Sequence, residues 1–191
     1  MGGAPDDRSP QLQQSGLAQP VCPAVAVRLR PVVEADLPAI QRIYRQHVLE
    51  GTASFEEEPP GVAEMAARLT AIRERGLPYI LAESAEGGAI AGYAYAAPYR
   101  SRSAYRFTVE DSIYLDPAFA GKGIGRLLLQ RLLTDCAAMG VRQVVAVIGG
   151  ADNLASVWLH AALGFRQVGV LEGVGCKFGR WLDTILMQRA L

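Results

Sequence analysis

The sequence lacks the features of a membrane-spanning, secreted or metal-binding protein. It contains no run of about 20 apolar residues, the length that a bilayer-spanning helix requires. The N-terminus has no charged segment followed by a long apolar one. Cys22, Cys136 and Cys176 show neither metal-ligand nor redox spacing, and an odd, scattered set of cysteines does not fit a disulfide framework. We therefore expect reduced thiols, no bound metal, no membrane and a cytoplasmic location.

An excess of charge is also missing. The 19 Lys and Arg residues balance 19 Asp and Glu residues, which argues against nucleic acid or an acidic membrane as the main partner. Any anion-binding site must therefore be local. Apolar residues are plentiful, since they make up 50% of the 191 residues, and this favours one substantial core.

The chain divides into a polar tail and a folded part. Residues 1–24 are rich in Gly, Pro, Gln and Ser and show no apolar period, so we predict a disordered N-terminal tail there. Alternation through Val25, Val27 and Leu29 predicts a first strand that ends at Pro31. The prediction is therefore a single domain over residues 25–191.

Apolar periodicity predicts seven strands and four helices in this domain. After the first strand, two helices are predicted, from Glu34 to about Glu50 and from Val62 to near Gly76. The runs YILAES, AIAGYAYAAP and YRFTVEDSIYL then predict three strands of an antiparallel meander. The remaining patterns predict a helix, a buried strand, a helix and two strands, near residues 124–139, 143–149, 153–163, 166–171 and 181–191.

A glycine loop, AGKGIG at residues 120–125, precedes the third of these helices. Glycines let backbone N–H groups approach a ligand, and the first turn of a helix leaves N–H groups unpaired beside a positive partial charge. The loop lacks the Gly-Lys-Ser/Thr of nucleoside-triphosphate loops and the full dinucleotide pattern. Two interpretations remain, a phosphate cradle of another kind and a plain connection before a core helix.

This loop and the segment NLASVWLHAALGF, some 30 residues later, together resemble the GCN5-related N-acetyltransferase (GNAT) superfamily. The superfamily's acetyl-CoA loop reads Gln/Arg-x-x-Gly-x-Gly/Ala, and Ala120 stands where Gln or Arg is usual. Its later signature reads Asn-x-x-Ala/Ser-x-x-x-Tyr-x-x-x-Gly-Phe, and His160 stands in the place of the tyrosine. The positions that match the later signature are Asn153, Ser156, Gly164 and Phe165.

Further segments narrow the resemblance to the phosphinothricin N-acetyltransferase branch. They are AAPYRSRSAYRFTVEDSIYLDP, VVAVIGG, ASVWLHAALGF and GCKFGRWLDTILMQR. This branch acetylates the α-amino group of phosphinothricin, methionine sulfoximine or related amino-acid analogues. The resemblance implies an α/β (α+β) GNAT fold, with a mixed, mostly antiparallel sheet of six to seven strands and four helices on both faces. It also implies a homodimer.

The resemblance implies acetyl-CoA as cosubstrate. The contacts expected from it lie on the fourth strand, in the glycine loop and on the later helix: Ile113, Tyr114, Leu115, Ala120, Gly121, Lys122, Gly123, Ile124, Gly125, Arg126, Asn153 and Ser156. Among these, Lys122 and Arg126 are expected to pair with phosphates, and Asn153 and Ser156 to contact the pantetheine. A backbone N–H near Ile113 or Tyr114 is expected to bind the oxyanion that forms during acyl transfer.

Acetyl transfer needs the acceptor amine in its neutral form, because a protonated amine has no lone pair. Glu110 matches the family's proposed catalytic glutamate and is our candidate general base. Its alternative role is a strand-edge carboxylate paired with an arginine. His160, in the tyrosine's place, is the candidate proton donor to the leaving thiolate, and its alternative role is structural. No cysteine has an activated pattern, so direct attack in a ternary complex is expected.

Candidate substrate contacts come from two aromatic and two basic residues. If YRSRSAY is extended, Arg100 and Arg102 lie on one side, suited to forked hydrogen bonds with a carboxylate or phosphinate. They match a basic pair of the family, with Arg100 replacing a frequent lysine, and the alternative is two solvated arginines. Phe55 and Tyr105 resemble substrate-contacting residues, and each has a core role as its alternative.

Two other functions stay open at this level. One is an acetyltransferase for another amine, namely a polyamine, an arylamine or a peptide N-terminus, although the arginine pair argues against polyamines. The other is a module that binds acetyl-CoA without catalysis. His47, on the first helix, has no motif around it and is expected at the surface or the core periphery.

Overall fold

A computed structural model describes residues 26–150 and 153–191. The strands are β1 (Val27–Pro31), β2 (Tyr79–Ser84), β3 (Ile90–Pro98), β4 (Thr108–Leu115), β5 (Gln143–Gly149), β6 (Arg166–Lys177) and β7 (Arg180–Ala190). The helices are α1 (Leu37–Glu50), α2 (Val62–Glu74), α3 (Ile124–Ala138) and α4 (Leu154–Ala162). The predicted tail over residues 1–24, and Val25 of the first predicted strand, lie outside the described residues.

The seven strands form one sheet in the order β1-β2-β3-β4-β5-β7-β6. Only β4 and β5 run parallel, and every other neighbouring pair of described strands is antiparallel. Strands β2, β3 and β4 form the antiparallel meander that the sequence predicts, and β1 pairs with the outer side of β2. The observed sheet and helix count confirm the predicted α/β fold with a mixed, mostly antiparallel sheet.

The helices cover both faces of this sheet. Helices α1 and α2 pack on one face over a core that includes Ile40, Leu69 and Tyr93. Helices α3 and α4 pack on the other face, where Leu128 and Leu132 are fully buried. Truncating a buried leucine to alanine costs about 2–5 kcal/mol, so the two apolar layers hold the sheet rigidly. No helix of the described ranges has the length and apolar character needed to cross a bilayer.

Three predicted boundaries differ from the structure. Helix α1 begins at Leu37, after a 3₁₀ turn over Glu34–Asp36, because the Asp36 carboxylate accepts the N–H of Val33 at 2.7 Å. Strand β4 begins at Thr108, because another 3₁₀ turn occupies Ser103–Tyr105. Strand β6 runs to Lys177, well past the predicted end near residue 171, because its hairpin with β7 continues through two irregularities in register.

The parallel pair β4 and β5 separates part-way along its length. Its register runs from Thr108↔Gln143 to Asp111↔Ala146 and stops there. Beyond that point β4 stays paired with β3, and β5 stays paired with β7 as far as Gly149. The two central strands therefore diverge and leave an opening between their ends. The candidate active site lies in this opening.

Candidate active site

A cleft of about 590 Å³ occupies the opening between the ends of β4 and β5. We call it the strand cleft. Its walls are the end of β4, the end of β5, the glycine loop and one side of α4. Ten of the twelve predicted cofactor contacts line it: Ile113, Tyr114, Leu115, Ala120, Gly121, Gly123, Gly125, Arg126, Asn153 and Ser156.

The other two predicted contacts do not line the strand cleft. The Ile124 side chain is 1% exposed and belongs to the core under α3. The Lys122 ammonium donates to the carbonyl oxygen of Ala118 at 2.9 Å and lies 5.2 Å from the centre of the Phe119 ring. Lys122 is thus folded against its own loop.

The glycine loop has the geometry of an anion site. Gly121 and Gly123 have φ angles of +73° and +78°, in the left-handed region where a side chain would be strained. The turn directs the chain into α3, and the amide N–H groups of residues 121–125 have no backbone acceptor within the described ranges. Free N–H groups at the positive end of a helix favour a negatively charged group. The loop therefore fits the pyrophosphate of a coenzyme.

Helix α4 closes the opposite side of the strand cleft. Asn153 caps this helix, since its Oδ1 accepts the N–H of Ser156 at 3.3 Å. Against the loop, a Cβ on Gly125 would lie 3.3 Å from a methyl group of Leu159. This close contact sets the spacing between α3 and α4, and with it the width of the cleft.

His160, on α4, forms a buried ion pair with Asp111 of β4. The Nε2 to Oδ2 distance is 2.9 Å, and the two side chains are 5% and 1% exposed. The Nδ1 atom lies 2.7 Å from the carbonyl oxygen of Ser156 and 3.4 Å from its hydroxyl. A carbonyl and an ionised carboxylate only accept, so the two contacts favour the imidazolium form, in which both ring nitrogens donate. Burial lowers the pKa of His160, but the Asp111 and Ser156 hydrogen bonds outweigh it and raise the pKa overall.

Sequence reasoning missed Asp111, although a signal was present. Glu110 and Asp111 are adjacent on a strand, so their side chains point to opposite faces of the sheet. Helices cover both faces of this sheet. The two acidic side chains therefore lie under different helix layers, on opposite sides of the sheet. Asp111 faces α3 and α4 and also lines the strand cleft, while its Oδ1 atom has no hydrogen-bond partner within the described residues.

Glu110 faces a second cavity, of about 400 Å³, on the α1 side of the sheet. We call it the Glu110 pocket. Burial raises the pKa of Glu110, and the negative charge of Asp111 raises it further. Within the described ranges Glu110 forms no salt bridge, and β4 is a central strand. The alternative of a strand-edge carboxylate paired with an arginine is therefore wrong.

Phe55 lies in the same pocket, in the loop between α1 and α2. Its ring lies so close to two strands that a Cβ on Gly149 would be 2.7 Å from it, and a Cβ on Gly175 only 2.2 Å. The neighbouring Ser54 shares a 2.9 Å hydrogen bond with the Tyr44 hydroxyl. Phe55 is 38% exposed, which fits a pocket wall better than a core aromatic.

The strand cleft and the Glu110 pocket meet. Both are lined by Ser112 and Tyr114 of β4, by Val147 and Gly149 of β5, and by Ala53 of the loop. A group bound in one cavity can thus reach a group bound in the other across the point where the strands separate. Such a geometry suits a transfer reaction between two bound molecules.

Arg100, Arg102 and Tyr105 lie outside the lining of the Glu110 pocket. All three are exposed, and the segment is not extended, because bends at residues 101–102 lead into the Ser103–Tyr105 turn. The expected alignment of both guanidiniums along one strand side is therefore wrong. Arg100 instead lies over the ring of Tyr99, 5.1 Å from its centre.

His47 is a further cleft residue that the sequence gave no reason to select. Its Nε2 donates to the carbonyl oxygen of Leu115 at 2.7 Å, and its ring contacts that of Tyr114. The contact ties α1 to the end of β4, next to the glycine loop. Over the described ranges, no group of three or more His, Cys, Asp or Glu side chains is arranged to hold a metal ion.

Comparisons with known proteins agree with this geometry. The model of the "Acetyltransferase (GNAT) family" matches residues 40–165. The chain is 54% identical over 166 residues to the phosphinothricin N-acetyltransferase of Alcaligenes faecalis, covering 87% of this chain and 83% of that protein. It is 39% identical over 158 residues to the L-methionine sulfoximine/L-methionine sulfone acetyltransferase of Salmonella typhimurium, covering 83% of this chain and 91% of that protein.

A solved structure extends the likeness to three dimensions. The GNAT superfamily phosphinothricin acetyltransferase of Sinorhizobium meliloti, crystallised in complex with acetyl-CoA, has a TM-score of 0.84 and 54% sequence identity, covering 86% of this chain and 88% of that one. The chain therefore belongs to the GNAT acetyltransferase family and is an N-acetyltransferase of the phosphinothricin and methionine sulfoximine acetyltransferase branch.

Proposed function

We propose that this N-acetyltransferase uses acetyl-CoA to acetylate the α-amino group of a small amino acid or analogue, of the phosphinothricin and methionine sulfoximine or sulfone type. The observation that carries the proposal is the meeting of the strand cleft and the Glu110 pocket at Ser112 and Gly149. The strand cleft has free amide N–H groups that can bind a coenzyme phosphate. The Glu110 pocket has a carboxylate that can accept a proton from an amine. The activities named for the relatives indicate the substrate class.

When bound, acetyl-CoA supplies an acetyl thioester. The amide N–H groups of residues 121–125 would hold its pyrophosphate, with Arg126 exposed beside them, while Asn153 and Ser156 would face its pantetheine. The backbone N–H of Ile113 points to the side of β4 that has left β5 and would bind a developing oxyanion, whereas Tyr114 stays paired with Tyr93 of β3.

Glu110 acts as the general base for the amine. An α-amino group is mostly protonated near neutral pH, so a proton has to be removed before attack. A carboxylate whose pKa is raised by burial is better matched to this task than an ordinary glutamate. In this proposal transfer is direct: of the two cysteines in the described residues, Cys136 has a pKa that burial raises to about 12, and Cys176 lines neither cavity.

His160 holds the proton that the leaving group requires. Its imidazolium lines the strand cleft, with one N–H on Asp111 and the other on the Ser156 carbonyl. The Ser156 hydroxyl, 3.4 Å from Nδ1, is the side chain that can carry a proton from this nitrogen into the cleft. The pair thus acts as a buried acid next to the coenzyme site.

The proposal includes a cytoplasmic homodimer over the single domain of residues 25–191. A second copy would bring Arg100, Arg102 and Tyr105 to a Glu110 pocket that they do not reach within one chain. The free thiols of Cys136 and Cys176 suit a reducing compartment. Exposed apolar residues on the β6–β7 hairpin offer a contact surface: Val168, Val170, Leu171, Val174 and Trp181.

The test is CoA release over a panel of phosphinothricin, methionine sulfoximine, methionine sulfone and spermidine. We expect turnover of the first three, and turnover of spermidine alone would overturn the substrate class. Glu110→Gln should lower kcat/KM by about 10²- to 10⁴-fold, because general base catalysis contributes that much. Glu86→Gln, in the exposed β2–β3 turn, is the matched control. Wild-type rates for Glu110→Gln from about pH 6 to 9 would remove Glu110 as the base.

A further inference from the structure

Lys177, the last residue of β6, is a buried lysine. It is 2% exposed, although lysine is almost never fully buried without a partner. No carboxylate of the described residues lies within salt-bridge distance of it. Its Nζ donates instead to the carbonyl oxygens of Gly51 at 2.9 Å and Ser54 at 2.6 Å. Burying an ammonium group is costly, so these two hydrogen bonds must offset a large loss of hydration.

The two carbonyls belong to the segment that forms one wall of the Glu110 pocket. We call residues 51–56 the wall loop, which has no regular secondary structure and carries Phe55 and Glu56 into the pocket. Lys177 is hydrogen-bonded to the wall loop at Gly51 and Ser54, which lie 126 and 123 residues earlier in the chain. These contacts cross from the edge hairpin of the sheet to the end of α1.

Gly175 contributes to the same contact. It lies two residues before Lys177, so both residues face the same side of β6. The Phe55 ring occupies the space where a Gly175 side chain would begin, 2.2 Å from an added Cβ. Phe55 thus rests on β6 beside the lysine that holds its loop. Two further polar contacts of the wall loop are to the helices, namely the Ser54 to Tyr44 hydrogen bond on α1 and the 2.7 Å salt bridge from Glu56 to Arg68 on α2. The contacts described here between the wall loop and β6 are therefore the two Lys177 hydrogen bonds and the packing of Phe55 on Gly175.

We propose that Lys177 is a positioning residue for the acceptor, which fixes the wall loop against β6 and so sets the positions of Phe55 and Glu56 in the Glu110 pocket. Lys177 does not line either cavity. It acts through the wall loop, which contributes four residues to the Glu110 pocket and one residue, Ala53, to the strand cleft. The inference rests on the proposed function, because it assigns the Glu110 pocket to the amino-acid acceptor.

Steady-state kinetics with phosphinothricin and acetyl-CoA test this role. Lys177→Met keeps the length of the side chain and removes both donors. It should raise KM for phosphinothricin by about tenfold or more, which corresponds to about 1.4 kcal/mol, and leave KM for acetyl-CoA within about twofold. Lys177→Arg, which keeps charge and donors, should restore part of the loss. The control is Arg180→Met, which removes an exposed positive charge opposite Lys177 in the same hairpin and should behave as wild type.

A rise of both KM values by the same factor would show a general structural role and overturn the inference, as would an unchanged KM for phosphinothricin. If wild type fails to acetylate phosphinothricin, the proposed function fails first. A second measurement then still tests the contact, because Lys122 and Lys177 are the two lysines of the chain. In folded wild type, sulfo-NHS-acetate should label exposed Lys122 at least about tenfold faster than buried Lys177. Equal labelling would show that the ammonium does not hold the wall loop.

Discussion

Replacing Asp111 with asparagine should lower the free energy of unfolding and should also change how that free energy depends on pH. In wild type, His160 is charged in the folded state, and its raised pKa reflects the 2.9 Å contact with Asp111. A group with a raised folded pKa contributes stability that is complete below its unfolded pKa, about 6.5 for histidine. That stability is lost as the pH rises through the folded pKa.

Asp111→Asn should replace the ion pair by a hydrogen bond between two neutral side chains. The amide nitrogen can donate to Nε2 of a neutral His160, while Nδ1 still donates to the Ser156 carbonyl. A buried histidine that is neutral in the folded state has a lowered pKa. In Asp111→Asn the contribution of His160 to the free energy of unfolding is therefore lost as the pH falls. The sign of the pH dependence at this site is therefore opposite in the two proteins.

The size of the effect follows from burial. Removing one partner of a buried ion pair costs about 3–5 kcal/mol, and we expect this near and below pH 6, where His160 is charged in both states of wild type. As the pH rises, the gap in unfolding free energy should shrink, with a slope of up to about 1.4 kcal/mol per pH unit for one proton. Urea denaturation of both proteins from about pH 6 to pH 9 measures it.

The control is Asp135→Asn, which removes a partly exposed i,i+4 partner of Arg131. Such a pair is worth about 0–1 kcal/mol, and it involves neither Asp111 nor His160. The difference in unfolding free energy between Asp135→Asn and wild type should therefore be small and should not change with pH. A gap for Asp111→Asn that is also constant with pH would refute the assignment of the proton to His160.

Two other predictions concern ligand binding and assembly. Lys122→Ala should leave the Kd for acetyl-CoA within about twofold in a calorimetric titration, because its ammonium binds the Ala118 carbonyl and does not line the strand cleft; a larger loss would show that Lys122 turns outward to pair with a phosphate. Mixing inactive Glu110→Gln chains with inactive Arg100→Ala/Arg102→Ala chains should restore up to about a quarter of the wild-type sites, because random pairing makes half of the dimers mixed and one site of each complete. No recovery would mean that the arginines do not act across a dimer.

Most of the fold could be predicted from apolar periodicity. QVVAVIG is apolar almost throughout because β5 is central and covered on both faces, and the structure has it over the predicted seven residues, Gln143–Gly149. Strand β6 was predicted too short, because Glu172 and the glycines around it break the alternation. Its pairing with β7 maintains the strand there, and pairing with a distant partner leaves no local pattern in the sequence.

The glycine pattern and the family resemblance pointed to the glycine loop and to Glu110, and the structure has each of them at the lining of a cavity. Lys177 could not be predicted in this way. In the sequence it follows an exposed cysteine and precedes the turn at Phe178, where a lysine is normally solvated. Its burial arises from two carbonyls more than 120 residues away, and backbone carbonyls are present at every position. Only the folded chain shows which of them the ammonium meets.

Glu110 and Asp111 show how one strand links the two halves of the site. Because they are adjacent on β4, one faces the acceptor side and the other faces His160 and the strand cleft. Burial raises the pKa of Glu110 and the charge of Asp111 raises it further, while the hydrogen bond of Asp111 raises the pKa of His160 against the effect of burial. With the proposed roles of His160 as the acid and Glu110 as the base, a single carboxylate would favour a protonated acid on one face and a stronger base on the other. Removing its charge should weaken both groups at once, so the base and the acid are not independent of each other.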